Sequence, residues 1–181
     1  MKKNSYPKLL LICLLSVSVL SCEKKIKELE DLHQETFLEW KVNGSTYTTK
    51  RAVAVKIPGG KVVITGNTDV EHVVAITLNA GGKKNFSFGN EETEGKAKLS
   101  IVDGQPNGYT SRYEECETEA YKYTAEPLKI TAFGDPGYYV EGSFVGTLYH
   151  QLPNCVGPVT PKEVTVKFRV LRSPDGQAPV E

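Results

Sequence analysis

From Phe37 onward the chain alternates apolar and polar residues with a period of two. Leu38, Trp40 and Val42 alternate with Glu39 and Lys41, Asn43-Gly44 supplies the pair of positive-φ positions that a type I′ hairpin needs, and Tyr47 begins the return strand. Val53, Val55 and Ile57 run into Pro58-Gly59-Gly60 and are followed by Val62 to Thr65, which predicts a second hairpin by the same logic. Val74, Ile76 and Leu78 share a face, as do Ala97, Leu99 and Ile101, and also Leu128, Ile130 and Ala132. Asp135-Pro136-Gly137 turns the chain into a strand over Tyr138 to Tyr149. The last strand sets Val164, Val166, Phe168 and Val170 inward against Thr165, Lys167 and Arg169. About ten short strands with regular turns and no long helical pattern predict an all-β fold, an antiparallel β-sandwich or barrel.

Composition supports this pattern. The 181 residues include 16 Gly, 10 Pro and 9 Tyr, and strands favour aromatic and β-branched residues while turns recruit Gly and Pro. The 22 basic residues balance the 22 acidic ones, so no basic field exists to gather phosphates, and nucleic acid is not an expected partner.

The ends of the chain differ from its middle. Lys2, Lys3 and Lys8 flank an apolar run from Leu9 to Leu20, the layout of an export signal, and the run is shorter than the ~20 residues a bilayer-spanning helix needs. It ends in Val19-Leu20-Ser21-Cys22, which resembles the bacterial lipobox. That resemblance implies a signal peptide over 1–21, diacylglyceryl transfer to the Cys22 thiol, cleavage after Ser21 and acylation of the new amino terminus. Loss of those three lysines from the 22 basic residues leaves 19 against 22, a net charge of −3. One acyl chain holds a protein on a membrane only reversibly, whereas several hold it firmly. Residues 22–36 are dense in charge and read as a lipidated tether, able to reach about 45 Å at roughly 3.3 Å per residue. A β domain over 37–172 follows, and the Pro- and Gly-containing segment 173–181 reads as a flexible tail.

With Cys13 in the signal and Cys22 lipidated, Cys116 and Cys155 remain. Both sit in turn-like segments, and an exported location permits oxidation. A bridge closing roughly 40 residues contributes on the order of 4 kcal/mol in the chain-entropy model. The glutamates around Cys116 oppose a reactive thiolate.

Trp40-x-Val42-Asn43-Gly44, Leu128-x-Ile130-Thr131 and Val140-Glu141-Gly142-Ser143-Phe144 resemble the small lipoproteins of Bacteroidota-type envelopes over roughly residues 36 to 172. The resemblance implies an all-β envelope lipoprotein, lipid-anchored at the outer membrane, and no particular activity. In such envelopes acidic residues directly after the lipidated cysteine often mark export to the cell surface. Here Glu23-Lys24-Lys25 follows Cys22, which leaves surface-exposed and periplasm-facing positions both open.

Catalytic signatures are sparse. His33, His72 and His150 show no ligand spacing, so neither a metal nor a cofactor is expected. Gly142-Ser143-Phe144-Val145-Gly146 falls inside a strand, where a nucleophile elbow cannot form, and its glycines suit close sheet packing or a bulge. Phosphate-loop and dinucleotide fingerprints are absent from the sequence. Glu91, Glu92 and Glu94 form one acidic cluster and Glu114, Glu115, Glu117 and Glu119 another, read as solvated loop charge. Tyrosine offers apolar area with a polar tip, and seven tyrosines, Tyr121, Tyr123 and Tyr149 among them, lie between residues 109 and 149. Tyr109, Tyr113, Tyr138 and Tyr139 are the candidate ligand contacts. The leading expectation is a non-catalytic, lipid-anchored binding module for an envelope protein or a glycan. The alternatives are an envelope or polysaccharide hydrolase using paired glutamates and a structural subunit of an envelope complex.

Overall fold

The computed structural model describes residues 35–90, 92–104, 107–152 and 157–175. The chain divides into two compact units, Met1–Glu35 and Thr36–Glu181, and all described residues but Glu35 belong to the second. The expected signal peptide, the lipidation site Cys22 and nearly all of the tether lie outside the described residues, as does Cys155.

The described residues form strands and turns with no helix. The first seven strands are β1 (Phe37–Val42), β2 (Ser45–Thr49), β3 (Ala52–Lys56), β4 (Lys61–Asn67), β5 (His72–Asn79), β6 (Asn85–Phe88) and β7 (Lys96–Asp103). They are followed by β8 (Gly108–Thr110), β9 (Arg112–Glu115), β10 (Ala120–Tyr123), β11 (Leu128–Phe133), β12 (Tyr139–His150) and β13 (Thr160–Arg172). The fold class is all-β, as its alternation predicts. Two details correct the expectation of about ten short antiparallel strands. The described residues hold thirteen strands, and β12 and β13 run for 12 and 13 residues. Two pairings are parallel, β13 with β3 and β6 with β7, because long connections bring those partners together and local periodicity does not report them.

Hydrogen-bonded neighbours close a barrel-like circuit. β13 pairs with β3, then β4, β5, β7 and β8 follow in turn, and β12 joins β8 back to β13. A second route between β7 and β12 passes through β6 and β11. The β1–β2 hairpin branches from β13, whose free edge is shared between β1, opposite residues 165–169, and β3, opposite 171–172. Asn43 and Gly44 turn this hairpin with φ of 52° and 82°, the positive pair that a type I′ turn demands.

Inward positions form one core. Leu38, Trp40, Val42, Ile64, Val74, Ile76, Leu78, Leu99, Phe86, Phe144, Val166 and Phe168 are buried. In β3 the inward face belongs to Ala52 and Ala54, while Val53 and Val55 are half-buried and Ile57 is exposed, the reverse of what the Val53, Val55, Ile57 alternation suggests. Space explains the choice: a Cβ added at Gly66, the register partner of Ala52, would lie 2.8 Å from Leu38 Cδ2 and 3.1 Å from Thr49 Cγ2. The hairpin presses so closely here that only small side chains fit beneath it.

Long β12 follows the wall by means of two glycines. A Cβ at Gly142 would meet Phe168 Cζ at 2.5 Å and Lys129 O at 2.6 Å, and the β11–β12 register shifts at this point, between Ile130 and Ala132. Close packing and a bulge therefore occur together. After β13, Ser173 donates its N–H to Ala54 O, and Asp175 accepts from buried Arg172 at 2.6 Å; residues 176–181 of the expected tail lie outside the described residues.

Candidate functional site

β1 accompanies β13 only as far as the Lys41–Thr165 pair and then turns away at Asn43-Gly44. β12 and β13 remain paired beyond that point, down to His150 and Thr160. The uncovered wall bounds an open groove of about 690 Å³, whose lining includes Lys41, Asn43, Glu126, Val145, Thr147, Lys162 and Glu163. Val145 is 67% exposed there, although it lies mid-strand.

Glu126 is the fixed group of this groove. Buried Thr124 donates its hydroxyl to Glu126 Oε2 at 2.8 Å. The backbone N–H groups of Glu126 and Thr147 also reach the carboxylate, and with Thr124 they hold it below the ordinary 4.5. Thr124 is itself anchored, since its N–H donates to Ser111 O at 3.0 Å, while Ser111 exchanges two hydrogen bonds with Leu99 of β7. Gly146 leaves the room: a Cβ there would lie 2.8 Å from Glu126 Cβ and 2.8 Å from Phe144 Cζ.

Residues of odd number on β12 face outward, so Tyr149 follows Val145 and Thr147 along the same side. Its ring meets Tyr113 with centroids 4.7 Å apart at 57°. Burial raises the Tyr149 hydroxyl above its ordinary 10.0, and Tyr113 and the Glu126 charge raise it further. β9 is clipped to this end of β12 by Gln151, whose Oε1 accepts the Glu114 N–H at 2.8 Å and whose Nε2 donates to Glu114 O at 2.7 Å.

On the other side of the Asn43-Gly44 turn lies a second polar cluster. Asn43 Nδ2 donates to Asp103 Oδ2 at 2.8 Å and to Tyr109 Oη at 2.9 Å, and Tyr47 Oη donates to Asp103 Oδ1 at 2.7 Å. His72 Nε2 stands 3.9 Å from the same Asp103 oxygen, and its Nδ1 donates to Asp69 Oδ1 at 2.8 Å. Trp40, Tyr47 and His72 stack in sequence, at 5.4 and 4.5 Å. Both oxygens of Asp103, whose side chain is 9% exposed, are spent on fastening the β1–β2 hairpin to β5 and β7. Among the described residues no group of three or more His, Cys, Asp or Glu is placed to hold a metal ion.

The four candidate tyrosines do not converge. Tyr109 is 5% exposed and belongs to the core, where its hydroxyl accepts from Asn43. Tyr113 packs on Tyr149, which is two residues along the outward side of β12 from the groove-lining Thr147. Tyr139 lies beneath the Arg169 guanidinium, 4.1 Å from its ring centroid, and Arg169 also pairs with Glu141. Tyr138 is 50% exposed at the same end. Ten residues of strand, roughly 33 Å at 3.3 Å each, separate Tyr139 from Tyr149.

Cys116 lies in the turn between β9 and β10. Of the two glutamate clusters, Glu92 pairs with Lys61 at 2.6 Å and Glu115 with Lys122 at 3.6 Å, while Glu91 lies outside the described residues. Glu92 and Glu94 line a second, shallower pocket with Lys61 and Asn79, whereas the two carboxylates of the open groove, Glu126 and Glu163, belong to neither cluster. Sequence reasoning missed both acids: Asp103 is a single acid at a strand end whose donors, Asn43 and Tyr47, come from a distant hairpin, and Glu126 is a single acid in the link between β10 and β11. No family model matches the chain, and no curated protein and no solved structure is detectably similar to it.

Proposed function

We propose that the chain is a lipid-anchored cell-envelope lipoprotein, processed after Ser21 and anchored at Cys22, whose β domain is a non-catalytic binding module for a glycan or an envelope protein. The observation that supports the binding reading is the open groove with Glu126 preset at its wall. The buried Thr124 hydroxyl holds the carboxylate before any ligand arrives, which lowers the ordering cost of binding. In this reading Cys116 pairs with Cys155, tying the β9–β10 arm to the segment after β12. Cys22→Ser is expected to leave the protein uncleaved or outside the membrane fraction; a variant still processed and membrane-bound would overturn the anchor. Protease treatment of intact against permeabilised cells then assigns the leaflet. The binding reading itself is tested by affinity capture on glycans and by cross-linking in intact envelopes, and loss of every interaction in both would remove it.

One observation favours a second reading, a polysaccharide hydrolase: Glu126 and Glu163 line the same groove. Release of reducing ends from glycans, abolished by Glu126→Gln and by Glu163→Gln separately, would establish it.

A further inference from the structure

We infer that the groove takes a neutral oligosaccharide chain, with one sugar hydroxyl donating to Glu126 and one ring face resting on the Tyr149–Tyr113 pair. This rests on reading the groove as the binding surface and goes on to name the ligand. Charge points to a neutral occupant, because Lys41 and Lys162 line the same groove as Glu126 and Glu163: two cations balance two anions, and no field of either sign selects an ionic ligand.

The remaining hydrogen-bonding capacity suits hydroxyl groups. A carboxylate offers about four acceptor sites, and the Thr124 hydroxyl takes one at Glu126. Capacity remains there for donors from a ligand. Thr147 and Thr165 line the groove as well, and each hydroxyl both donates and accepts, as a sugar hydroxyl does. Exposed Val145 and the half-buried Tyr149 lie on the same strand face, giving apolar surface to the C–H side of a pyranose ring. Stiff two-χ side chains such as tyrosine lose little entropy on contact.

An extended peptide fits less well. It would add a strand to the β13 edge that β1 leaves uncovered, and that stretch includes Pro161, which has no N–H to offer, and charged Lys162 and Glu163. Such residues blunt an edge against strand addition. The volume of about 690 Å³ lies within the range of roughly 300–1,000 Å³ usual for small-ligand sites, with open ends through which a chain can continue.

The test is calorimetric titration of the mature protein in detergent with maltohexaose, cellohexaose, mannohexaose and chitohexaose, and with a hexagalacturonate as acidic comparator. At least one neutral chain is expected to bind and the acidic one not. Glu126→Gln and Tyr149→Ala are each expected to weaken binding about tenfold or more, whereas Tyr138→Ala at the far end of β12 leaves it unchanged. Thermal melting of every variant separates lost contacts from lost folding, and if one groove variant fails to fold, the other decides. Neutral glycan binding indifferent to both groove variants would overturn the placement while leaving a glycan-binding module. Preference for the acidic chain would overturn the ligand class. Absence of binding to all five, with an envelope cross-link that Glu126→Gln abolishes, would replace the glycan by a protein at the same groove. Absence of both would overturn the binding reading as well.

Discussion

Asp103 and Glu126 are two carboxylates on either side of the Asn43-Gly44 turn, each held by hydrogen-bond donors, yet they do opposite things. Asp103 gives both oxygens to Tyr47 and Asn43 and is nearly closed to water. Glu126 is fixed by Thr124 and two backbone N–H groups but stays open to the groove. The first is consumed by the fold, and the second is positioned with capacity left over. A set of satisfied hydrogen bonds therefore does not distinguish a structural acid from a binding one; the space beside it does.

The largest effect should come from breaking the closed side. Asp103→Ala strands the Tyr47 hydroxyl and the Asn43 amide, and is expected to lower stability by roughly 2–4 kcal/mol in urea unfolding while leaving ligand affinity of the folded fraction near that of the parent. A smaller effect is expected at the open side. Gly146→Ala pushes a methyl into Glu126 Cβ and Phe144 Cζ, each 2.8 Å away, costing about 1–3 kcal/mol and shifting Glu126 enough to weaken binding. Here stability and affinity should fall together, whereas at Asp103 they separate.

The two sides should also fail at opposite ends of the pH scale. The Tyr47 hydroxyl is raised above 10.0, first by its bond to Asp103. Its contribution is therefore complete below pH 10 and is lost as pH rises through the raised value. The Glu126 carboxyl is lowered from 4.5, first by Thr124, so its contribution is present at neutral pH and is lost only as pH falls through that lowered value. Carbon-13 shifts of the Glu126 carboxyl across an acid titration should show the lowered midpoint, and Thr124→Val should move it back toward 4.5.

Much of the strand set can be read from the sequence because its signals are local. Alternation at Leu38, Trp40 and Val42, or at Val164, Val166, Phe168 and Val170, needs no knowledge of partners, and Asn43-Gly44 declares its turn by chemistry. The face of β3 could not be read this way, since Ala52 and Ala54 look inward only because Leu38 and Thr49 crowd Gly66 from across the fold. Tyr109 illustrates a second limit. Tyrosine suits a core and a surface equally well, and a three-residue strand carries too little alternation to choose between them. Tyr149 was more accessible to reasoning, because Val140, Phe144 and Leu148 set the parity of β12 and leave odd-numbered residues outside. The groove itself is assembled from four stretches, around residues 41–44, 126, 145–147 and 162–165, and no spacing along the chain connects them.

The most direct test of the groove as the binding surface is a map of backbone amide shifts in the mature protein on addition of the tightest-binding neutral hexasaccharide. Changes concentrated at Glu126, Val145 to Thr147, Tyr149 and Thr165, with the turn at Asp135 to Tyr139 unmoved, are the expected result. Changes centred on that turn, or on the Asp103 cluster with the groove silent, would contradict the account.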